Sequence, residues 1–522
     1  MVVVADSSLS KSPSCSSLGP KKATNVDDVL KCVRPFGRYQ ILMTVVYSYM
    51  YLPCQINNLF MGYGGIMPKW SCSDLNNSTN EPTDSCQIYD SCSKENLTFI
   101  SDFYSVVSEW RLVCDHSYSI QLITSIQMVG LMVGGMIAGP ITDLYGRKWT
   151  FLGVITLGLL LGGLSSLSTS VTMFIVFRFL VGITVGAQLV VGCVFSAEST
   201  INRYRLLMQS IAILFLPLWN QVFVAYVTKH WVWYSVVGNL EGVLLLPIIA
   251  FMTYESPRWL AQKGRLDEAD RVLRGIAAFN KASHELPGNI DLETESKDGD
   301  VKKYHVWDLF RTRRLAIYTL VSFGTWFAIS LAQYGMYFDI GYLPTNVYVN
   351  GAMLAGVGMT VVPMAAYDAY NKNVNRKYVQ VALFLLTSLC NVVIALFETV
   401  IPRGQASGVL LSICSIVGQV ATEASFGVLY VYSIELFPTL LRSNAGALNS
   451  VGARIGGIIA PQLLYARKSW EPLPYVCFAA ICGLGAGLDA FFLPNTKNMH
   501  LPETYKQSNG NKREVDYEDI VL

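Results

Sequence analysis

The sequence predicts an all-α integral membrane protein with twelve transmembrane helices in two six-helix halves. Apolar stretches of about 20 residues recur six times before and six times after one charged interruption, Glu255 to Arg314, and each can cross a hydrocarbon core of ~30 Å at ~1.5 Å per helical residue. Of 522 residues, 52% are hydrophobic and only 15% charged. That is too little charge to clothe a soluble core, so most of the apolar surface must face lipid. Basic residues gather in alternate short loops, which orients the chain.

Residues 1–38 read as a cytoplasmic N-terminal segment; Met1–Val33 lacks the apolar core and cleavage site of a signal peptide. The first half, 39–253, holds spans at Tyr39–Met61, Ile120–Ile141, Trp149–Leu167, Val171–Val194, Leu206–Thr228 and Trp231–Thr253. A linker at 254–314, with short helices around Gly264–Ala278, is expected to be cytoplasmic. The second half, 315–493, holds Leu315–Tyr337, Val347–Tyr367, Tyr378–Thr399, Gly408–Tyr430, Leu441–Leu464 and Tyr475–Leu493, followed by a cytoplasmic tail at 494–522. An even number of crossings puts both termini on one side. Lys21, Lys22, Lys31, Arg34, Arg38, Arg147, Lys148, Arg203, Arg205, Arg376, Lys377 and Arg442 make that side the cytosol, with Arg467 and Lys468 as exceptions on the other.

One outer loop is long. Residues 62–119 carry Cys72, Cys86, Cys92 and Cys114 and three N-x-S/T sequons at Asn76, Asn77 and Asn96. Four cysteines there imply two disulfides, with three pairings open. Together with the sequons they imply a glycoprotein that reaches the plasma membrane. The other eight cysteines read as packing residues. The net charge of +2 gives no nucleic-acid signature, so no nucleic-acid partner is expected. His116, His230, His284, His305 and His500 all fall in or beside loops, so neither a metal site, a cofactor nor a catalytic constellation is expected.

The turn Gly139-Pro-Ile-Thr-Asp143-Leu-Tyr-Gly146-Arg147-Lys148 places an acid at one helix end and a basic pair at the next, a charge-assisted latch at the membrane face. It resembles the signature loop of the major facilitator superfamily, with Leu144 where a basic residue is usual. The matching loop, Asn371 to Lys377, keeps the basic pair without the acid or the glycine. Val26-Asp-Asp-Val-Leu30, Phe36-Gly-Arg-Tyr-Gln40, Glu109-Trp-Arg-Leu-Val-Cys114, Glu255-Ser-Pro-Arg-Trp-Leu260, and Glu435-Leu-Phe-Pro-Thr439 with Arg442 narrow the likeness. With the cysteine-bearing loop, they resemble the organic cation, anion and zwitterion transporters, solute carrier family 22, from about Val26 to Thr504.

That resemblance implies the major facilitator fold and a polyspecific carrier of small organic ions. Such carriers work by alternating access with the substrate near the midplane between the halves. It implies gating roles for Asp143, Arg147, Lys148, Glu198, Arg178, Glu435 and Arg442. A functional monomer, with a counter-ion or exchange substrate, completes the expectation.

Arg454, in the middle of the eleventh span, is the strongest substrate-binding candidate, because a guanidinium at that depth needs a cavity or a partner. The matching family position is acidic in typical cation carriers and arginine in anion and carnitine-type carriers. On the tenth span Gln419, Glu423, Phe426 and Tyr430 share one helical face. Phe426 matches an aromatic cavity position of the anion carriers. Gln419 replaces their lysine, and Glu423 has no counterpart. Ala365 also stands where they have lysine, and Val361 and Val362 leave no acid where cation carriers have one, so the charge code is mixed.

Trp326, Gln333, Tyr334 and Tyr337 on the seventh span, Asn58 beside Asn57 on the first, and Trp219 with Asn220 on the fifth complete the candidates. The reading favours anions or carnitine-like zwitterions. An organic cation carrier, a sugar-type carrier and a non-transporting receptor with the same fold remain open; an enzyme is not expected.

Overall fold

The computed structural model describes residues 26–33, 36–72, 83, 85–93, 96–201, 208, 216–283, 286, 305–339, 341, 346–357, 375–400, 405–438 and 441–495. Asn76, Asn77, Arg203, Arg205, Val361, Val362, Ala365 and most of the 371–377 turn lie outside them, as do the two terminal segments.

In chain order the helices are α1 (Val26–Cys32), α2 (Arg38–Asn58), α3 (Phe60–Gly64), α4 (Cys86–Ser91), α5 (Val106–Trp110), α6 (Tyr118–Tyr145), α7 (Arg147–Leu164) and α8 (Val171–Glu198). They continue with α9 (Leu216–Thr228), α10 (Trp231–Val243), α11 (Leu245–Met252), α12 (Pro257–Gln262), α13 (Leu266–Phe279), α14 (Arg313–Phe338), α15 (Val347–Val357), α16 (Arg376–Val400), α17 (Gln405–Leu436), α18 (Arg442–Tyr465) and α19 (Leu473–Phe492). Strands β1 (Lys69–Cys72) and β2 (Leu97–Ile100) pair antiparallel, Trp70 opposite Phe99.

Among the described residues, 8 helices are long and apolar enough to cross a membrane. They stand at the second, third, fourth, sixth, seventh, ninth, tenth and twelfth expected spans. Helices occupy the other four positions as well, for different physical reasons. α2 and α18 have 21 and 24 residues but are diluted by polar groups: Gln55, Asn57 and Asn58 on one, Asn449 and Arg454 on the other. The described parts of the fifth and eighth, α9 and α15, are 13 and 11 residues long.

The chain divides into two compact units, 1–301 with 336–362, and 302–335 with 363–522. In the first, α6 and α8 pack backbone to backbone. Gly130 and Gly134 on one face Gly182 and Gly186 on the other, and a Cβ at any of the four would overlap a backbone oxygen of Phe179, Ile183, Gln127 or Leu131. Small residues spaced by four let membrane helices approach this closely, which is what holds them without a hydrophobic drive. α6 turns into α7 at Gly146, whose φ of 95° suits glycine. Ser170 and Ser256 cap α8 and α12, with Pro257 in the first turn of α12.

The charged interruption holds α12 and α13. α13 buries Ala269, Leu273, Ile276 and Ala277 in the same apolar cluster as Val26, Val29 and Leu30 of α1. Asn280 fixes this corner: its Nδ2 donates to Val33 O at 2.9 Å and its Oδ1 accepts from Tyr39 N at 2.8 Å.

At the opposite end the disulfides are Cys72–Cys92 and Cys86–Cys114, which selects one of the three open pairings. Trp70 packs on Tyr89 and Phe99 beneath them. α15 belongs to this unit: the Tyr348 hydroxyl donates to Asp102 O at 2.8 Å, and Asn346 Nδ2 to Asp102 Oδ2 at 2.9 Å. Cys54, Cys193, Cys390, Cys414, Cys477 and Cys482 form no disulfide, whereas Cys32 is disulfide-bonded, which corrects its reading as a packing residue.

The second unit is built on α16, α17, α19 and the first 23 residues of α14, with α18 against them. Its core gathers Trp326, Ile329, Phe384, Leu429, Cys482 and Ala486.

Candidate functional site

The signature turn builds a charged cluster at one end of the first unit. Arg147, at the first position of α7, is 7% exposed. Its Nη1 donates to Asp143 Oδ1 at 2.6 Å and its Nε to Glu198 Oε2 at 3.2 Å. Glu255 closes the helix end: Oε1 accepts from the backbone N–H groups of Arg147 and Lys148 at 2.8 and 3.0 Å, a carboxylate at a positive helix terminus. Lys148 Nζ donates to the carbonyls of Ala250 and Thr253, and Trp259 Nε1 to Asp143 O. Arg258 bonds Asp27 and the carbonyl of Thr200, tying α12 to α1 and to the end of α8. The expected latch partner, Asp143, is 66% exposed, while Glu198 is 19% exposed, so the buried tie is Arg147–Glu198.

The second unit repeats that tie. Arg376, opening α16, pairs with Glu435 near the end of α17, as Arg147 of α7 pairs with Glu198 of α8. Removing Arg147 strands the largely buried Glu198, a loss of about 3–5 kcal/mol for a broken buried pair, whereas Asp143 keeps much of its hydration. Arg147→Ala should therefore cut surface level and uptake far more than Asp143→Asn, as read by surface biotinylation beside uptake. Equal effects of the two would show that the Glu198 tie does not dominate.

A cavity of about 170 Å³ lies within the second unit. α14 supplies Trp326, Ser330, Gln333 and Tyr334; α17 supplies Phe426, Tyr430 and Ser433; α18 supplies Arg442, Gly446, Asn449, Ser450, Ala453 and Arg454. Three rings form one wall, Trp326 edge-on to Phe426 and Tyr430 at centroid distances of 5.1 and 4.9 Å. Trp326 Nε1 donates to Ser433 Oγ at 2.9 Å, which fixes the indole. Arg454 Nη1 donates to the Tyr334 hydroxyl at 3.4 Å. On the residue before, Gln333 Nε2 donates to Glu423 Oε1 at 2.8 Å, and Gln419, fully buried, also reaches Glu423 at 3.5 Å. Charges of opposite sign thus hang from neighbouring positions of α14, each bonded to a neutral group.

Arg454, Phe426, Tyr430, Trp326, Gln333 and Tyr334 are brought together on the cavity wall. Glu423 and Gln419 lie further along the same face of α17, behind Gln333 and not on the cavity wall. Tyr337 is not on it: the chain past Gly335 belongs to the first unit, and Tyr337 packs there in the aromatic cluster with Tyr63 and Tyr348. Asn58 and Trp219 are also first-unit residues, Asn58 buried with Oδ1 unbonded and Trp219 39% exposed.

Arg178 stands away from the other charges expected to gate. It is fully buried on α8 under the ring of Phe60 at 3.6 Å, with Nη2 on Ser165 Oγ, some 20 residues and about 30 Å of helix from Glu198. Asn96 precedes β2.

Sequence reasoning missed the stripe Arg442, Gly446, Asn449, Ala453, whose spacings of four, three and four mark one helical face. The resemblance implies only a gating role for Arg442, whereas the structure puts it on the cavity wall. Its Nε and Nη2, and both side-chain polar atoms of Asn449, have no partner among the described residues, so this wall offers donors and an acceptor.

The sugar (and other) transporter family matches residues 72–506. A solute carrier family 22 member 15-like protein of Xenopus laevis is 26% identical over 485 residues, 92% of this chain and 95% of that one. The organic cation transporter protein of Drosophila melanogaster is 31% identical over 412 residues, 77% and 73% of the two chains. Organic cation/carnitine transporter 2 of Rattus norvegicus is 30% identical over 417 residues, 77% and 71%. The xylose transporter XylE from E. coli, in its inward open conformation, shares the fold with a TM-score of 0.60 at 16% identity, covering 89% of this chain and 98% of that one. With the twin Arg–Glu ties and the cavity in hand, the chain belongs to solute carrier family 22 of the major facilitator superfamily, and is a multi-pass membrane transporter of organic solutes, not an enzyme.

Proposed function

We propose that this chain carries small organic ions with a carboxylate, carnitine-like zwitterions or organic anions, across the plasma membrane by alternating access. The observation that carries the reading is Arg454: a guanidinium at membrane depth on a cavity wall, bonded to a phenol at 3.4 Å and to no acid among the described residues. A substrate carboxylate supplies the partner it lacks, while the rings of Trp326, Phe426 and Tyr430 accept the apolar or quaternary-ammonium part. The relatives named for organic cations and carnitine support an organic ion as cargo.

In this reading a single chain is the working unit, with the halves 39–253 and 315–493 joined by a cytoplasmic linker, 254–314. Both termini are cytoplasmic, and the loop 62–119 is outside and glycosylated. Its sequons and its low share of Lys and Arg support that side. The Arg147–Glu198 and Arg376–Glu435 ties act as the gate.

A second reading, an organic cation carrier, is favoured by Glu423, an acid on α17 behind Gln333 and about one turn before Phe426 of the three-ring wall. Radiolabelled carnitine, benzoate and tetraethylammonium, offered to cells expressing the chain, separate them. Carnitine or benzoate should accumulate above tetraethylammonium. Accumulation of tetraethylammonium alone would establish the cation carrier, and binding without uptake by chains delivered to the surface would point to a receptor.

A further inference from the structure

Glu241 lies at the middle of the Trp231–Met252 span, half-buried on α10 in the first unit, and takes no part in the charged cluster. Three helices converge on it. Its Oε1 accepts from Asn220 Nδ2 of α9 at 2.7 Å, and its backbone carbonyl accepts from the Tyr49 hydroxyl of α2 at 3.1 Å. No Lys, Arg or His among the described residues pairs with it.

The titratable groups facing it are the phenols of Tyr49 and, on its own helix, Tyr234. α9 presents Asn220, an amide; α11 has no titratable residue; α3 presents Tyr63, whose ring lies tilted against that of Tyr234. The charges of α7, Arg147 and Lys148, are engaged with Asp143, Glu198, Glu255 and two backbone carbonyls. An ionised carboxylate at this depth with one amide partner is costly, and a carboxyl group that takes a proton avoids the cost.

The donor set selects the ligand. A metal cation needs several oxygens, but Asn220 turns its N–H toward Glu241, and no group of three His, Cys, Asp or Glu residues able to hold a metal ion exists among the described residues. A proton needs one carboxylate oxygen. Asn220 suits both states, because its amide donates to the carboxylate through Nδ2 and, once turned, accepts the acid O–H through Oδ1.

We propose that Glu241 is a proton-binding site. Its carboxylate takes a proton from water to become the neutral acid and returns it to water, and net solute movement by this chain is thereby proton-linked. The proposal rests on the chain being a transporter and not on which solute it carries.

The purified full-length protein in lipid vesicles tests the site without any solute. Infrared difference spectra across pH steps should show a protonated-carboxyl band that Glu241→Gln removes and Glu241→Asp shifts; a band unchanged in both variants overturns the site. Vesicles then test the link with whichever of carnitine, benzoate or tetraethylammonium accumulates in the uptake panel. Glu241→Gln should lose about tenfold or more of the net uptake driven by an inward proton gradient while equal-exchange counterflow persists. Gradient-driven uptake equal to wild type overturns the link. Failure of all three probes would count against the solute reading alone, since the infrared measurement still decides the site.

Discussion

Gly134→Val should leave the first unit unfolded, with little chain reaching the cell surface, while Gly153→Val should behave as wild type. Both glycines sit in apolar membrane helices, so composition does not separate them. A Cβ at Gly134 would overlap Ile183 O, and the facing Gly186 has the same relation to Leu131 O. These are backbone atoms of regular helices and cannot turn aside as a side chain would. α6 and α8 would have to separate along their whole contact, opening the interface at Gly130 and Gly182 as well. The cost should lie at or above the ~1–3 kcal/mol usual for overpacking, since every clash is with the main chain. Gly153 of α7 has nothing within 4 Å of a built Cβ. Surface biotinylation and thermal stability in detergent read the outcome; wild-type values for Gly134→Val would mean that close packing of α6 on α8 does not hold this unit together.

The four glycines are plain in the sequence as two small-xxx-small pairs, Gly130 with Gly134 and Gly182 with Gly186, yet periodicity gives no reason to match one pair with the other. That is the general limit here. Apolar length placed the spans at Trp149–Leu167 and Val171–Val194 to within a few residues, because bilayer thickness is a one-dimensional constraint. Helical spacing gathered Phe426 and Tyr430, because spacing fixes a face.

Spacing did not show how far along a face the cavity extends. Gln419 and Glu423 share the angular position of Phe426 but sit one to two turns away, behind Gln333. Tyr337 failed differently: its angle matches Trp326 and Gln333, but the chain leaves the second unit at Met336. Glu255 was legible as part of a motif string, while its role, capping α7 from 108 residues away, was not. Likewise Asn220 stands out in the sequence as a polar residue in a span, but nothing in the linear order joins it to its partner Glu241.

Arg454→Ala should selectively lose substrates bearing a carboxylate, and Glu423→Gln those bearing a quaternary amine, with the two effects additive in the double variant. The alternative is a self-neutralising pair, in which each single change strands a charge, harms folding, and is rescued by the double change. The geometry favours the first. Arg454 bonds the Tyr334 hydroxyl and Glu423 bonds the Gln333 amide, so each charge is already held by a neutral group, and removing one does not orphan the other. A charge-assisted hydrogen bond is worth ~1.5–3 kcal/mol, or about ten- to a hundredfold in affinity for the carboxylate probes. The loss should appear in the concentration dependence of carnitine and benzoate uptake, with tetraethylammonium handling unchanged by Arg454→Ala.

Glu423 is further from the wall, so its substitution should act more weakly and through Gln333, whose amide would then be free to turn toward the cavity. Surface level measured beside uptake for both singles and the double distinguishes the two accounts: low surface level in the singles with recovery in the double would establish the neutralising pair. Wild-type uptake of carnitine and benzoate by all three variants would remove Arg454 from substrate selection, and with it the main support for a carboxylate-bearing cargo.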